Sequence, residues 1–121
     1  MRRGKECAQA AHASISFLTT ATQRVDDSFD ESDSSSLHQA WLSKEAVEWL
    51  GDGFTKVCVR VDSEKELMEI WLKARQAKLE VHLITDSGKT EFLGVPTRTC
   101  LAIGPNKAED IDKITGHLKL Y

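Results

Sequence analysis

The sequence predicts an α/β domain, and three observations carry that reading. Short runs rich in β-branched residues alternate with stretches of helical period, in the order helix, strand, helix, strand. Turn residues (Gly51-Asp52-Gly53, Gly104-Pro105 and Gly116) stand at the joints between them. Hydrophobic residues make up 40% of the chain and charged residues 29%, the balance of a chain that folds around a core. At 121 residues it forms one domain, 1–121, which buries well over half of its unfolded surface. Strand–helix–strand connections favour parallel neighbours, so at least two parallel strands are expected.

The elements follow in order. Residues 5–21 read as a helix, with Ala8, Ala11, Ile15 and Leu18 at helical spacing on one side. Its many alanines give that side little bulk, so it can lie close to a sheet, and Gly4 stands just ahead of it. Residues 25–36 (VDDSFDESDSSS) are acidic and serine-rich and read as a mobile loop. A second helical region spans 37–50, with Trp41, Leu42, Ala46, Trp49 and Leu50 as its apolar side. Residues 55–61 (TKVCVRV) alternate and predict a strand. Ser63 and Glu66 form a capping box that opens a third helix, whose buried stripe is Leu67, Ile70, Trp71, Ala74 and Ala77. VHLIT at 81–85 is a second strand and runs into the turn Asp86-Ser87-Gly88-Lys89-Thr90. TCLAI at 99–103 is a third, stopped by Gly104-Pro105. A short helix over 108–115 ends at Gly116, and 118–121 close the chain in extended form.

Several function classes are excluded by pattern. No apolar run approaches the ~18 residues that cross a bilayer. Residues 1–10 carry positive charge without an apolar stretch behind it, so a secretory leader is not expected and the compartment is the cytoplasm. Cys7, Cys58 and Cys100 make no C-x-x-C pair, and four scattered histidines complete no zinc pattern, so no metal is expected and the thiols read as buried and reduced. Net charge is −3, unlike that of a nonspecific nucleic-acid binder. Charge is uneven, however: Arg2, Arg3 and Lys5 cluster at one point and Asp26, Asp27, Asp30, Glu31 and Asp33 at another. The G-K-T at 88–90 lacks the first glycine of a phosphate-binding loop, and no G-x-S-x-G elbow exists. Cys7 and His12 are five apart, on different helix faces, so they make no nucleophile–base pair.

Two positions ask for a reason. Lys5 sits at a helix N-terminus, where the macrodipole disfavours a cation, and an anionic ligand supplies one explanation. Asp86 ends a strand, where α/β sheets hold their ligands, although Asp before Ser-Gly also makes an ordinary turn. Lys5, Gln9, His12 and Ser16 form a polar helical stripe. Within it Gln9 reads as peripheral to a site and His12 as structural support.

Three blocks together resemble the archaeal and eukaryotic type of peptidyl-tRNA hydrolase. They are Arg3-Gly4-Lys5-x-x-Ala8-Gln9-x-x-His12-Ala13, the loop Asp86-Ser87-Gly88-Lys89-Thr90, and Thr99 to Pro105 followed by Ile111 to Tyr121 (IDKITGHLKLY). The resemblance covers the chain apart from the acidic loop. It implies a three-layer α/β/α fold around a small mixed, mainly parallel sheet of about four strands. The family's first strand, which precedes its R-x-G-K, is missing from a chain that starts at Met1. The resemblance also implies a cofactor-independent ester hydrolase with Lys5, Asp86, Thr90 and Thr99 at its centre, acting on peptidyl-tRNA. Arg2, Arg3, Gln9, Lys89, Arg98, Lys113 and Lys119 are its candidate substrate contacts. A related aminoacyl-tRNA deacylase and a non-enzymatic tRNA-binding adaptor are the competing readings. An absent central strand leaves apolar edges that favour association, a homodimer included.

Overall fold

A computed structural model describes residues 1–25, 35–89 and 93–121 of the chain. The centre of the acidic segment and Thr90 fall outside the described residues. The elements are α1 (Arg3–Ala21), β1 (Gln23–Val25), β2 (Leu37–Gln39), α2 (Lys44–Gly51), α3 (Glu64–Gln76), β3 (Val81–Asp86), β4 (Thr97–Ile103) and α4 (Ala108–Thr115). The molecule is therefore α/β, as its sequence predicts.

The strand pairing differs from the expected sheet. β3 and β4 form an antiparallel hairpin, and β1 and β2 form a second, three-residue antiparallel ladder. Every strand pair among the described residues is antiparallel, so the mainly parallel four-stranded sheet is not formed by them. The physical reason lies at residues 55–61. This segment has strand chemistry but makes only a single bridge, Val59 to Leu120 in the chain's last residues. Arg60 N–H donates to Lys119 O at 2.9 Å and Tyr121 N–H to Cys58 O at 3.0 Å. The β propensity of a segment is realised only where another strand supplies the ladder.

The helices follow local signals closely. Ser63 Oγ accepts from Glu66 N–H at 3.1 Å, and Glu66 Oε2 accepts from Asp62 N–H at 3.0 Å, so the expected box forms with its return bond one residue early. Ile70 and Ala74 are the buried part of the α3 stripe, while Ala77 at its end is exposed. α4 begins and ends where its sequence predicts. The second helical region is shorter than expected: Ser43 caps α2 by accepting from Ala46 N–H, and 37–39 pair as β2 instead. Trp49 packs edge-on to Phe17 and against Phe54, and its indole N–H donates to Thr55 O at 2.6 Å.

α1 presents an unexpected face. It packs on β3 and β4 through Gln9, Ala13, Ser16 and Phe17, all buried. Of the stripe Ala8, Ala11, Ile15 and Leu18, the first three are exposed and Leu18 is half-buried. Small residues at 13 and 16 let the helix approach the hairpin, and Gln9 finds its partners there. α3 also packs on β3 and β4 and carries α4 against itself. Among the described residues the buried apolar set is Ala13, Phe17, Ala46, Ile70, Ala74, Ile84 and Ile114, and no large side chain is fully buried.

Candidate active site

Two side-chain pairs link α1 to the hairpin, one helical turn apart. Lys5, in the first turn of α1, meets Asp86, the last residue of β3, with Nζ to Oδ1 at 2.8 Å. The two side chains are only 17% and 10% exposed, so the pair is shielded without being sealed. Asp86 Oδ2 accepts from Gly88 N–H at 2.8 Å. Both carboxylate oxygens are thus held. The Lys5 hydrogen bond first, and the Gly88 amide second, keep the Asp86 carboxyl below its ordinary pKa. Gly88 makes this possible with φ +81°, and a Cβ there would stand 2.0 Å from Val95 O. Only glycine fits where the returning loop crosses so closely.

The second pair is Gln9 with Thr99. Thr99 Oγ1 donates to Gln9 Oε1 at 2.5 Å, and Cys100 Sγ donates to the Gln9 backbone carbonyl at 3.4 Å. Thr99 owes its direction to a β-bulge. Ile84 pairs with Cys100 and Thr85 with Arg98, which leaves Thr99 as the extra residue of β4. A bulge turns a side chain out of the regular alternation, and here it turns Thr99 toward α1. Gln9 was expected at the periphery; it is buried and joined to Thr99, so it stands beside the Lys5–Asp86 pair. A glutamine four residues after a helical lysine is the signal that placed it on the same face.

The other candidates divide. Arg2 and Arg3 lie within a turn of Lys5, Lys89 three residues beyond Asp86, and Arg98 across the ladder from Thr85. All four are exposed at the Asp86 end of the hairpin. Arg98 also pairs with Glu64 at 3.6 Å. Lys113 pairs with Asp110 at 3.8 Å on α4, and Lys119 lies exposed in the closing segment, so no contact draws either toward Asp86. The His12 side chain is exposed, and the contact it makes is through its carbonyl, which accepts from Ser16 Oγ at 2.8 Å. Its ring is therefore not the packed support expected of it. Thr90 lies outside the described residues. The thiols correct another expectation: Cys7 and Cys58 are exposed, and only Cys100 is partly covered, its pKa raised chiefly by burial.

Two hollows of about 250 and 270 Å³ lie elsewhere, the first against Phe17, Ala21 and Trp41 at the far end of α1. Among the described residues no set of His, Cys, Asp and Glu is arranged to hold a metal, and no helix is long and apolar enough to cross a membrane.

The family model described as peptidyl-tRNA hydrolase PTH2 matches residues 1–121. The chain belongs to that family. Among its relatives are the peptidyl-tRNA hydrolase of Methanocaldococcus jannaschii, 42% identical over 120 residues, covering 99% of this chain and 89% of the relative. That of Nanoarchaeum equitans is 36% identical over 119 residues, covering 98% and 88%. The probable peptidyl-tRNA hydrolase 2 of Drosophila melanogaster is 35% identical over 120 residues, covering 99% of this chain and 55% of its own length. As a member of the PTH2 family the chain is a hydrolase, and the fourfold arrangement of Lys5, Gln9, Asp86 and Thr99 is where its chemistry can be sought.

Proposed function

We propose that the Lys5–Asp86 centre cleaves the ester that joins a peptide to tRNA. The observation that carries this reading is the shielded Lys5–Asp86 pair at the start of α1, with Gln9 and Thr99 one turn along. Water adds to the ester carbonyl, the carbonyl oxygen becomes an oxyanion, and the bond to the ribose oxygen then breaks. The proton taken from the water passes to the leaving ribose oxygen, and the peptide leaves as a carboxylate with its acid proton lost to solvent. The Lys5 ammonium, aided by the helix N-terminus, stabilises the oxyanion. Asp86 orients the attacking water and takes its proton; its lowered pKa keeps it ionised, and so able to accept, at neutral pH. Gln9 and Thr99 fix the far side of the site, with Thr90 a fifth contributor.

Arg2, Arg3, Lys89 and Arg98 flank this centre and take phosphates of the tRNA, with Lys113 and Lys119 reaching more distant ones. The reaction runs in the cytoplasm. In its working form the sheet closes to about four strands in three layers, with strand 55–61 joined to the hairpin. The test is hydrolysis of N-blocked aminoacyl-tRNA, with free aminoacyl-tRNA as the comparison. Lys5→Ala and Asp86→Asn each lose about a hundredfold or more. Near wild-type turnover in both overturns the assignment, and preference for the free aminoacyl ester converts it to a deacylase.

A further inference from the structure

The two hollows away from Asp86 belong together. Asn106 lines both, and α2 forms a wall of each. The first, of about 250 Å³, is mainly apolar: Phe17, Ala21, Trp41, Leu42, Ala46 and Pro105 line it, and its two charged residues, Lys78 and Glu80, are of opposite sign. Trp41 is 96% exposed, an indole left in water beside an apolar recess. The volume exceeds the ~150 Å³ of a cavity that takes up benzene, so the recess admits one aromatic side chain.

The second hollow, of about 270 Å³, has the opposite character. Glu45, Glu48 and Asp52 line it beside the Trp49 ring, with Lys107 as the one cation among its described lining residues. Glu48 reaches Lys44 at 3.9 Å, and no ion pair engages Glu45 or Asp52 among the described residues. Three carboxylates alone would be a solvated face. Here they continue an apolar recess, and a polar group stands at the junction. Asn106 Oδ1 accepts from Glu80 N–H at 2.9 Å, which leaves the Asn106 amide nitrogen to donate where the two hollows join. Along α2, Ala46 of the first hollow and the carboxylates of Glu48 and Asp52 are separated by about 3–9 Å at the helical rise. An extended chain covers that distance in roughly one to three residues.

We propose that this crevice docks a linear segment of a partner polypeptide that carries an aromatic residue with arginine about two positions away. The aromatic side chain enters the first hollow against Trp41 and Phe17, and Asn106 donates to a backbone carbonyl of the segment. The guanidinium lies against Trp49 with Glu45 and Asp52 as its counter-ions. A nucleic acid is the wrong occupant, because these carboxylates repel phosphates; the crevice and the basic Asp86 end select different chemistry. Glu80 precedes β3 and Asp86 ends it, so the crevice lies on the order of 20 Å from the Lys5–Asp86 pair. A partner can hold the protein there and leave that pair open to substrate.

The test is fluorescence anisotropy on the full chain with a labelled peptide of sequence Gly-Ser-Phe-Ser-Arg-Ser-Arg-Gly. One control peptide has serine for its phenylalanine, and another has glutamate for both arginines. The expected result is saturable binding that weakens by about tenfold or more with either control. Trp41→Ser and the double variant Glu45→Gln with Asp52→Asn should each weaken binding by about tenfold, with turnover of N-blocked aminoacyl-tRNA unchanged in both. Equal binding of the glutamate peptide, no saturable binding below millimolar concentration, or an affinity that neither variant alters overturns the proposal. So does a chain that sediments as a dimer and is split by Trp41→Ser, since a second copy is then the occupant.

Discussion

Lys5 and Asp86 are 81 positions apart and meet at 2.8 Å, so neither residue explains itself alone. A lysine in the first turn of a helix opposes the macrodipole, and the Asp86 carboxylate offsets that cost. Both residues were legible as oddities of sequence, and only the family blocks tied one to the other. Gln9 was harder to read, because a buried glutamine and an exposed one look alike until the partner is known. Replacing Gln9 with Ala leaves Thr99 without its nearest acceptor, and about a tenfold loss in kcat is expected, with KM little changed; steady-state kinetics on N-blocked aminoacyl-tRNA measures it. The pH profile follows from the lowered Asp86 pKa. Asp86 stays ionised down through the ordinary carboxylate range, so its contribution to stability is fully present above that range. It is lost only as pH falls through the lowered value. Thermal melts should therefore show Asp86→Asn converging on the parent in strong acid and lying below it near neutrality. A gap that persists unchanged into acid contradicts the pairing.

Among the elements, those with local instructions were readable and those that depend on a distant partner were not. The Ser63 cap, the α3 stripe and the limits of α4 rest on residues a few positions apart. Ser63→Ala removes the acceptor for Glu66 N–H and should cost about 1 kcal/mol by denaturant unfolding, without changing the hydrolytic rate constant. Residues 55–61 have every mark of a strand, yet among the described residues they make a single bridge, to Leu120. The buried side of α1 was misassigned for a related reason. Hydrophobicity selects Ala8, Ala11, Ile15 and Leu18, but Gln9 goes inward because the hairpin offers it hydrogen bonds, and Ser16 goes inward with its hydroxyl satisfied by His12 O on its own helix. The turn after β3 adds a stricter demand. Gly88→Ala places a methyl group on Val95 O and strains a left-handed backbone, so stability should fall by about 1–3 kcal/mol. Activity should fall with it, since the Gly88 amide is one of the two holds on Asp86; urea melts and single-turnover hydrolysis separate the two losses.

At the scale of the whole molecule, net charge of −3 and a polyanionic substrate coexist because the charges are sorted. Arg2, Arg3, Lys89 and Arg98 gather at the Asp86 end, whereas Glu45, Glu48 and Asp52 border the second hollow. Binding to tRNA should weaken steeply between low and moderate salt. Removing Arg2 and Arg3 together should lower the slope of log K against log salt by roughly one to two units, measured by filter binding at several ionic strengths. A slope unchanged by that double substitution removes both arginines from the interface. Composition alone pointed away from nucleic acid, because an average charge hides how a fold distributes it.

The bulge at Thr99 has a consequence for how the hairpin can vary. A regular ladder is one deletion away: without residue 99, Cys100 and Arg98 become neighbours and follow Ile84 and Thr85 in step. Such a deletion should give a straighter, better-paired hairpin, and it should also erase the only β4 hydroxyl that reaches Gln9. The extra residue is thus an imperfection with a use. Shortening β4 and preserving turnover are opposed outcomes, and a chain selected for stability alone would be expected to lose Thr99 before it lost Lys5.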